Sequence, residues 1–206
     1  MNIIFLLFFG KIKKTYAYYN LSGGKAFLTN PVLFEKQEHT IKIDMKIVEK
    51  ALNFKAENYM PEIAVDKEDE IKAEKFLKES KIDKYACIVP ATTNKLKEWK
   101  IENFEKIIEF ISKKYKNYKI LLIGGENDMA KIEKLKRENC ILAINLNLRV
   151  LYEILKKSSL VIANDGGVMH LAWLSGTRTI AFWGPINLKL MKPLKNSIIL
   201  HHKTEC

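Results

Sequence analysis

Cysteine is scarce in this 206-residue chain and shows no pairing pattern. Cys87, Cys140 and Cys206 are odd in number and lack C-x-x-C spacing, so neither a zinc site nor a disulfide framework follows. A reduced, cytoplasmic compartment fits that usage. Nine glycines and five prolines exclude collagen-like and linker-like chains. No G-x-G-x-x-G follows the first predicted strand of the repeating region, and no G-x-x-x-x-G-K-[ST] occurs, so the usual marks of dinucleotide and P-loop enzymes are missing. No apolar run reaches the ~18 residues of a membrane-spanning helix. The run at residues 3–9, Ile-Ile-Phe-Leu-Leu-Phe-Phe, is followed rather than preceded by Lys11, Lys13 and Lys14, the wrong order for a signal peptide. It reads as a strand or helix end buried against another part of a fold. An Arg-rich stripe is also absent. The net charge of +11 comes from lysines spread along solvated faces, so no nucleic-acid partner is expected.

What the chain does have is a globular balance, 48 % hydrophobic and 29 % charged residues. Residues 1–80 do not read as a self-sufficient domain. A turn-rich stretch at 20–31 precedes Ile43, Ile47, Val48, Ala51 and Leu52 at helical spacing. Residues 67–80 form a highly charged helix, read as a linker element, with Ile71, Phe76 and Leu77 as its apolar positions.

From residue 84 the pattern becomes strand–helix alternation with short connections. Strands are predicted at 85–90, 119–124, 141–146, 160–163, 179–183 and 197–200. Amphipathic helices fall between them, and a nearly all-apolar one spans 168–174. This predicts an α/β fold, a Rossmann-like doubly wound parallel sheet covered on both faces. Two domains are expected, 1–80 and 81–206. Ligands of such sheets sit beyond the carboxyl ends of the strands, so the loops at 90–99, 124–128, 164–167 and 184–187 should share one functional edge.

Three of these loops carry a candidate chemistry beside a plainer structural use, while Gly184-Pro185 in the fourth reads only as a tight turn. Thr92, Thr93, Lys95 and Lys97 supply the hydroxyls and ammonium groups that a phosphate needs, or form an ordinary polar loop stapled by Trp99. Glu126 and Asp128 follow Gly124-Gly125, where an acidic group meets a ribose in related folds, or they cap the next helix. Gly166-Gly167 opens a buried helix straight after a strand, so its free N–H groups and positive dipole end form an anion site. Asp165 can cap that helix, or hold His170 and the loop. His170, one turn in, can face the same ligand or be a satisfied core histidine.

Five elements in order resemble glycosyltransferase family 9, the ADP-heptose lipopolysaccharide heptosyltransferases: Ala91-Thr92-Thr93, Lys97-Glu98-Trp99, Leu122-Ile123-Gly124-Gly125, Asn164-Asp165-Gly166-Gly167-Val168-Met169-His170-Leu171-Ala172, and Phe182-Trp183-Gly184-Pro185. The resemblance covers about 84–200 well and is weaker upstream, around 24–33 and His39. It implies the donor-binding, carboxy-terminal half of a two-domain GT-B enzyme that transfers a sugar with inversion, without a metal and without a cofactor beyond the ADP-sugar donor. It implies that Thr92, Thr93, Lys97, Asp165, Gly166, Gly167 and His170 hold or shape the diphosphate, and that Glu126 or Asp128 contacts the ribose. The acceptor would be lipid-linked, with peripheral contact at the inner face of the inner membrane. The family's candidate base, an Asp of the amino-terminal half, has no counterpart here. The chain is therefore expected to be truncated and inactive alone, or to work with a separately encoded amino-terminal half. The other expectations are a transferase for a different sugar nucleotide and a non-catalytic nucleotide-binding or assembly subunit. Gly166 departs from the family at a position where Ser or Thr is usual.

Overall fold

A computed structural model describes residues 13–18, 28–33, 38–185 and 187–201. The apolar run at 3–9, the turn residues 20–27 and Cys206 lie outside the described residues. Contacts along the chain define two units, residues 1–61 with 187–192, and residues 62–186 with 193–206. Among the described residues no helix is long and apolar enough to cross a membrane.

In the smaller unit, strands β1 (Tyr16–Tyr18) and β2 (Asn30–Val32) pair in parallel, and helix α1 spans Thr40–Leu52. Thr15 and Thr29 exchange backbone-to-hydroxyl bonds at 2.8 and 2.9 Å at the start of the pair. His39 caps α1, its Nδ1 accepting from the Ile41 N–H. Of the expected apolar face of α1, Ile43 is buried while Leu52 is 70 % exposed. The carboxylates here serve local structure. Asp44 accepts from the Tyr18 hydroxyl at 3.1 Å, and Glu49 accepts from the Ala56 N–H at 2.7 Å and the Tyr59 hydroxyl at 3.2 Å.

The larger unit begins with helix α2 (Lys67–Glu79), so the chain divides before residue 80. This helix is a packed element rather than a linker. Asp69, Ala73 and Leu77, one helical turn apart, are buried, whereas Ile71 is 54 % exposed. The face that packs contains one small residue, one aliphatic and one carboxylate, which is why composition suggested a solvated helix.

Six strands follow: β3 (Tyr85–Val89), β4 (Lys119–Gly124), β5 (Cys140–Ile144), β6 (Leu160–Asn164), β7 (Thr179–Trp183) and β8 (Ser197–His201). All pair in parallel, in the order β5-β4-β3-β6-β7-β8. Between them lie α3 (Ile101–Lys114), α4 (Met129–Glu133), α5 (Leu148–Lys157) and α6 (Gly167–Leu174), while the short α7 (Leu188–Met191) belongs to the smaller unit. Unbroken aliphatic runs suit strands covered on both faces, and β3 is buried at all five positions. Ile88, Ile120, Leu122 and Ile162 of the sheet pack with Phe104, Ile108 and Ile111 of α3 and Ile132 of α4. Each such fully buried side chain contributes about 1.5–3 kcal/mol. The chain runs outward from β3 to β5, returns to β6 on the other side of β3, and runs outward again to β8. The order reverses between β3 and β6, the switch point at which crevices open in doubly wound sheets.

Candidate functional site

A cavity of about 310 Å³ opens at that switch point, beyond the carboxyl ends of β5, β4, β3 and β6. The β3 loop contributes Ala91, Thr92 and Thr93, the β4 loop Gly124, Gly125 and Asp128, and the β6 loop Gly166 and Gly167. The loop after β5 also takes part, through Asn145, Leu146 and Leu148. Sequence reasoning omitted it, although the rule that pointed to the other loops applies equally to this one.

Helix α6 starts without a side-chain cap. Its N-cap, Gly166, is in extended conformation, and the first intrahelical bond runs from the His170 N–H to the Gly166 carbonyl at 3.2 Å. The first-turn N–H groups therefore have no intrahelical acceptor and carry the positive end of the helix dipole. A Cβ at Gly167 would meet nothing within 4 Å, so this end of the cavity is roomy, and one at Gly166 would make only ordinary contact with Thr92 at 3.5 Å.

The carboxylates and cations are arranged more tightly than their spacing suggested. Asp165 is buried and does not cap α6; its carbonyl accepts from the Thr92 hydroxyl at 3.1 Å. Lys97 Nζ stands 3.0 Å from Asp165 Oδ2, an ion pair made without hydrogen-bond geometry. Lys97 lines a neighbouring open depression of about 750 Å³, together with Trp99, Trp183, Gly184, Leu200 and His201. Gly184 is required there, because a Cβ would fall 3.0 Å from Lys97 Cα and 2.9 Å from its Cγ. Trp99 stacks on Phe182 at 3.8 Å and meets Phe104 edge-on. Lys131 of α4 pairs with Glu98. Burial, with the nearby Lys95 adding to it, lowers the pKa of the Lys131 ammonium.

Of the two ribose candidates, Asp128 lines the cavity and Glu126 is exposed outside it. Asp128 Oδ2 also accepts from the Gly125 N–H at 3.0 Å, closing the turn that brings it to the rim. His170 is not among the cavity's lining residues. Its Nδ1 accepts from Trp173 Nε1 at 3.1 Å, which puts the proton of the neutral ring on Nε2. The site thus brings together Thr92, Thr93, Asp128, Gly166 and Gly167, sets Lys97 and Asp165 as a pair beside them, and leaves Glu126 and His170 off the cavity wall.

The family model described as glycosyltransferase family 9 (heptosyltransferase) matches residues 4–206. No curated protein matches the chain. Among solved structures, a glycosyltransferase family 9 protein from Veillonella parvula is similar over 89 % of this chain, with 20 % identity and a TM-score of 0.78. The E. coli ADP-heptose lps heptosyltransferase II is similar over 98 %, with 14 % identity and a TM-score of 0.77. The E. coli heptosyltransferase WaaC, solved with ADP-2-deoxy-2-fluoro heptose, is similar over 91 %, with 18 % identity and a TM-score of 0.65. The matched regions cover 55 %, 66 % and 58 % of those chains, respectively. At these identities the likeness speaks for the fold, an α/β architecture built on a parallel sheet.

Proposed function

Because the chain belongs to glycosyltransferase family 9, we propose that its larger unit binds the ADP part of an ADP-sugar whose heptose is transferred to a lipid-linked saccharide of the lipopolysaccharide core. The observation that carries this is the make-up of the cavity at the switch point. In sheet order it runs from the β6 loop, with the open start of α6 and Thr92 close by, past Gly124, Gly125 and Asp128, to Leu146 and Leu148 after β5. Three strand spacings separate its ends, roughly 14 Å, the reach of an adenosine diphosphate. Anion-binding N–H groups and hydroxyls lie at one end, a carboxylate comes in the middle, and aliphatic side chains lie at the other. A diphosphate, a ribose and a flat base need those surroundings in that order.

In this reading the protein's part in catalysis is to help the leaving group depart. As the bond from the sugar's anomeric carbon to the diphosphate oxygen breaks, negative charge grows on the β-phosphate. The N–H groups at the start of α6 and the Thr93 hydroxyl meet that charge in a preorganised site, and the Thr92 hydroxyl joins them by turning its proton from the Asp165 carbonyl to the phosphate. Lys97, steadied by Asp165, adds a cation from beside the cavity, and His170 shapes the helix through its bond with Trp173. The acceptor oxygen attacks from the opposite face and gives up its proton to a general base on the acceptor side, so the anomeric centre inverts as the bond to the diphosphate breaks, and no metal takes part in bond making. The lipid-linked acceptor places the reaction at the inner face of the inner membrane.

NMR titration with ADP tests the donor site. Shifts confined to residues 91–97, 124–128, 145–148 and 164–170 are expected. No shifts there at millimolar ADP would overturn the proposal, and stronger binding of UDP or GDP would reassign the donor to another sugar nucleotide.

A further inference from the structure

Asn164, the last residue of β6, is 1 % exposed and sits at the carboxyl end of a strand whose other inward positions are aliphatic or Ala. Burying an amide there is costly unless both of its ends are paired. Both are. Its Nδ2 donates to the Pro90 carbonyl at 2.8 Å, and its Oδ1 accepts from the Trp99 N–H at 3.1 Å. Pro90 and Trp99 bracket the loop that carries Thr92, Thr93 and Lys97. One side chain therefore ties down both ends of that loop. The next residue, Asp165, holds the loop's interior through its carbonyl to Thr92 and its carboxylate to Lys97.

Resting on the donor-site proposal above, we infer that Asn164 is a positioning residue: it fixes the entry and exit of the 91–98 loop so that the loop's hydroxyls are already in place when a nucleoside diphosphate arrives. The far end of the loop has anchors of its own, the Lys97–Asp165 and Glu98–Lys131 ion pairs and the stack of Trp99 on Phe182, but its middle does not. Within the loop, Asn94 caps a single turn, accepting from the Leu96 N–H at 3.0 Å, while Thr93, Asn94, Lys95 and Leu96 are exposed. A loop whose middle is this exposed samples more conformations once its ends are released. Binding to it then pays for the fraction of time it spends out of place. The cost falls on ligands that need the loop, those with phosphates, and spares ligands that use only the β4 and β5 side of the cavity.

The test compares the wild type, Asn164→Ala and Asn164→Asp in the full chain. Three measurements are made: amide exchange, binding of ADP and binding of adenosine. In Asn164→Ala, amides across 91–99 should exchange faster, with protection elsewhere in the sheet kept. ADP affinity should fall roughly tenfold, matching a tenfold loss of the competent loop population, while adenosine affinity changes less than twofold. Asn164→Asp retains an acceptor for Trp99 but not the donor to Pro90, so its Trp99 amide should stay protected while the start of the loop loosens. Unchanged exchange at 91–99 in Asn164→Ala overturns the inference. So does an equal fall in ADP and adenosine affinity with a lowered melting temperature, which marks a purely structural role. If the wild type binds neither ligand, the nucleotide reading of the cavity fails, and the exchange measurement still decides whether Asn164 holds the loop.

Discussion

Lys97 and Asp165 show how one pair can serve both stability and binding. The Asp165 side chain is only 3 % exposed and that of Lys97 is 16 % exposed, so neither charge has water to fall back on. Lys97→Ala leaves the carboxylate buried alone, which costs about 3–5 kcal/mol. Urea denaturation should register that loss, and the double variant Lys97→Met/Asp165→Asn should recover most of it. The double variant still lacks the cation, so calorimetry should find its ADP affinity about ten- to a hundredfold below the wild type, a charge-assisted contact being worth about 1.5–3 kcal/mol. The glycines divide by the same physical criterion. Gly184→Ala drives a Cβ against the Lys97 backbone and should destabilise the loop, whereas Gly167→Ala meets open space and should leave the melting temperature within a few degrees. Cys87 supplies a pH dependence. Burial pushes its thiol from 9.0 up to about 12, so the folded chain holds a proton that the unfolded chain releases. Stability should therefore be fully present below pH 9.0 and fall as pH rises from there toward about 12, by up to about 1.4 kcal/mol per unit. Thermal melts on Cys87→Ala should show a shallower alkaline decline.

At the scale of elements, α2 is where composition misled. Its packed face is Asp69, Ala73 and Leu77, so Ala73→Leu should overpack the contact with α5 and cost about 1–3 kcal/mol, while Ile71→Ala, although it truncates a large apolar side chain, should stay within about 0.5 kcal/mol because Ile71 is exposed. Urea midpoints of the two variants settle the point. The six sheet strands were legible because each is a short, mostly apolar run between turn or helix residues, and their parallel arrangement followed from the helices between them. The glycine pair before α6 was equally legible, since only a backbone pattern was needed to see an uncapped helix start. The partners of Asn164 were not. Pro90 and Trp99 lie 74 and 65 positions away, and nothing local says that a strand-end amide will span both ends of another loop. Which of Glu126 and Asp128 lines the cavity was hidden for a similar reason, because it depends on a turn closed by one side chain, Asp128 back to Gly125.

On the scale of the whole molecule, the sheet's strand order has a kinetic consequence. β3 meets β4 through close sequence neighbours, Tyr85 opposite Lys119, but meets β6 only through a connection more than twice as long, Ala86 opposite Leu160. Closing the shorter loops first is entropically cheaper, so the β3–α3–β4–β5 half should assemble early and the β6–α6 half should dock late. The cavity has walls from both halves and is absent until the second arrives. A ligand of the cavity then stabilises contacts that form after the rate-limiting barrier. Saturating ADP should slow unfolding in proportion to its binding energy and leave the refolding rate nearly unchanged, a result that stopped-flow chevrons with and without the nucleotide would register. The nucleotide would act as a brake on opening, and a chain emptied of it would be the form most exposed to proteases.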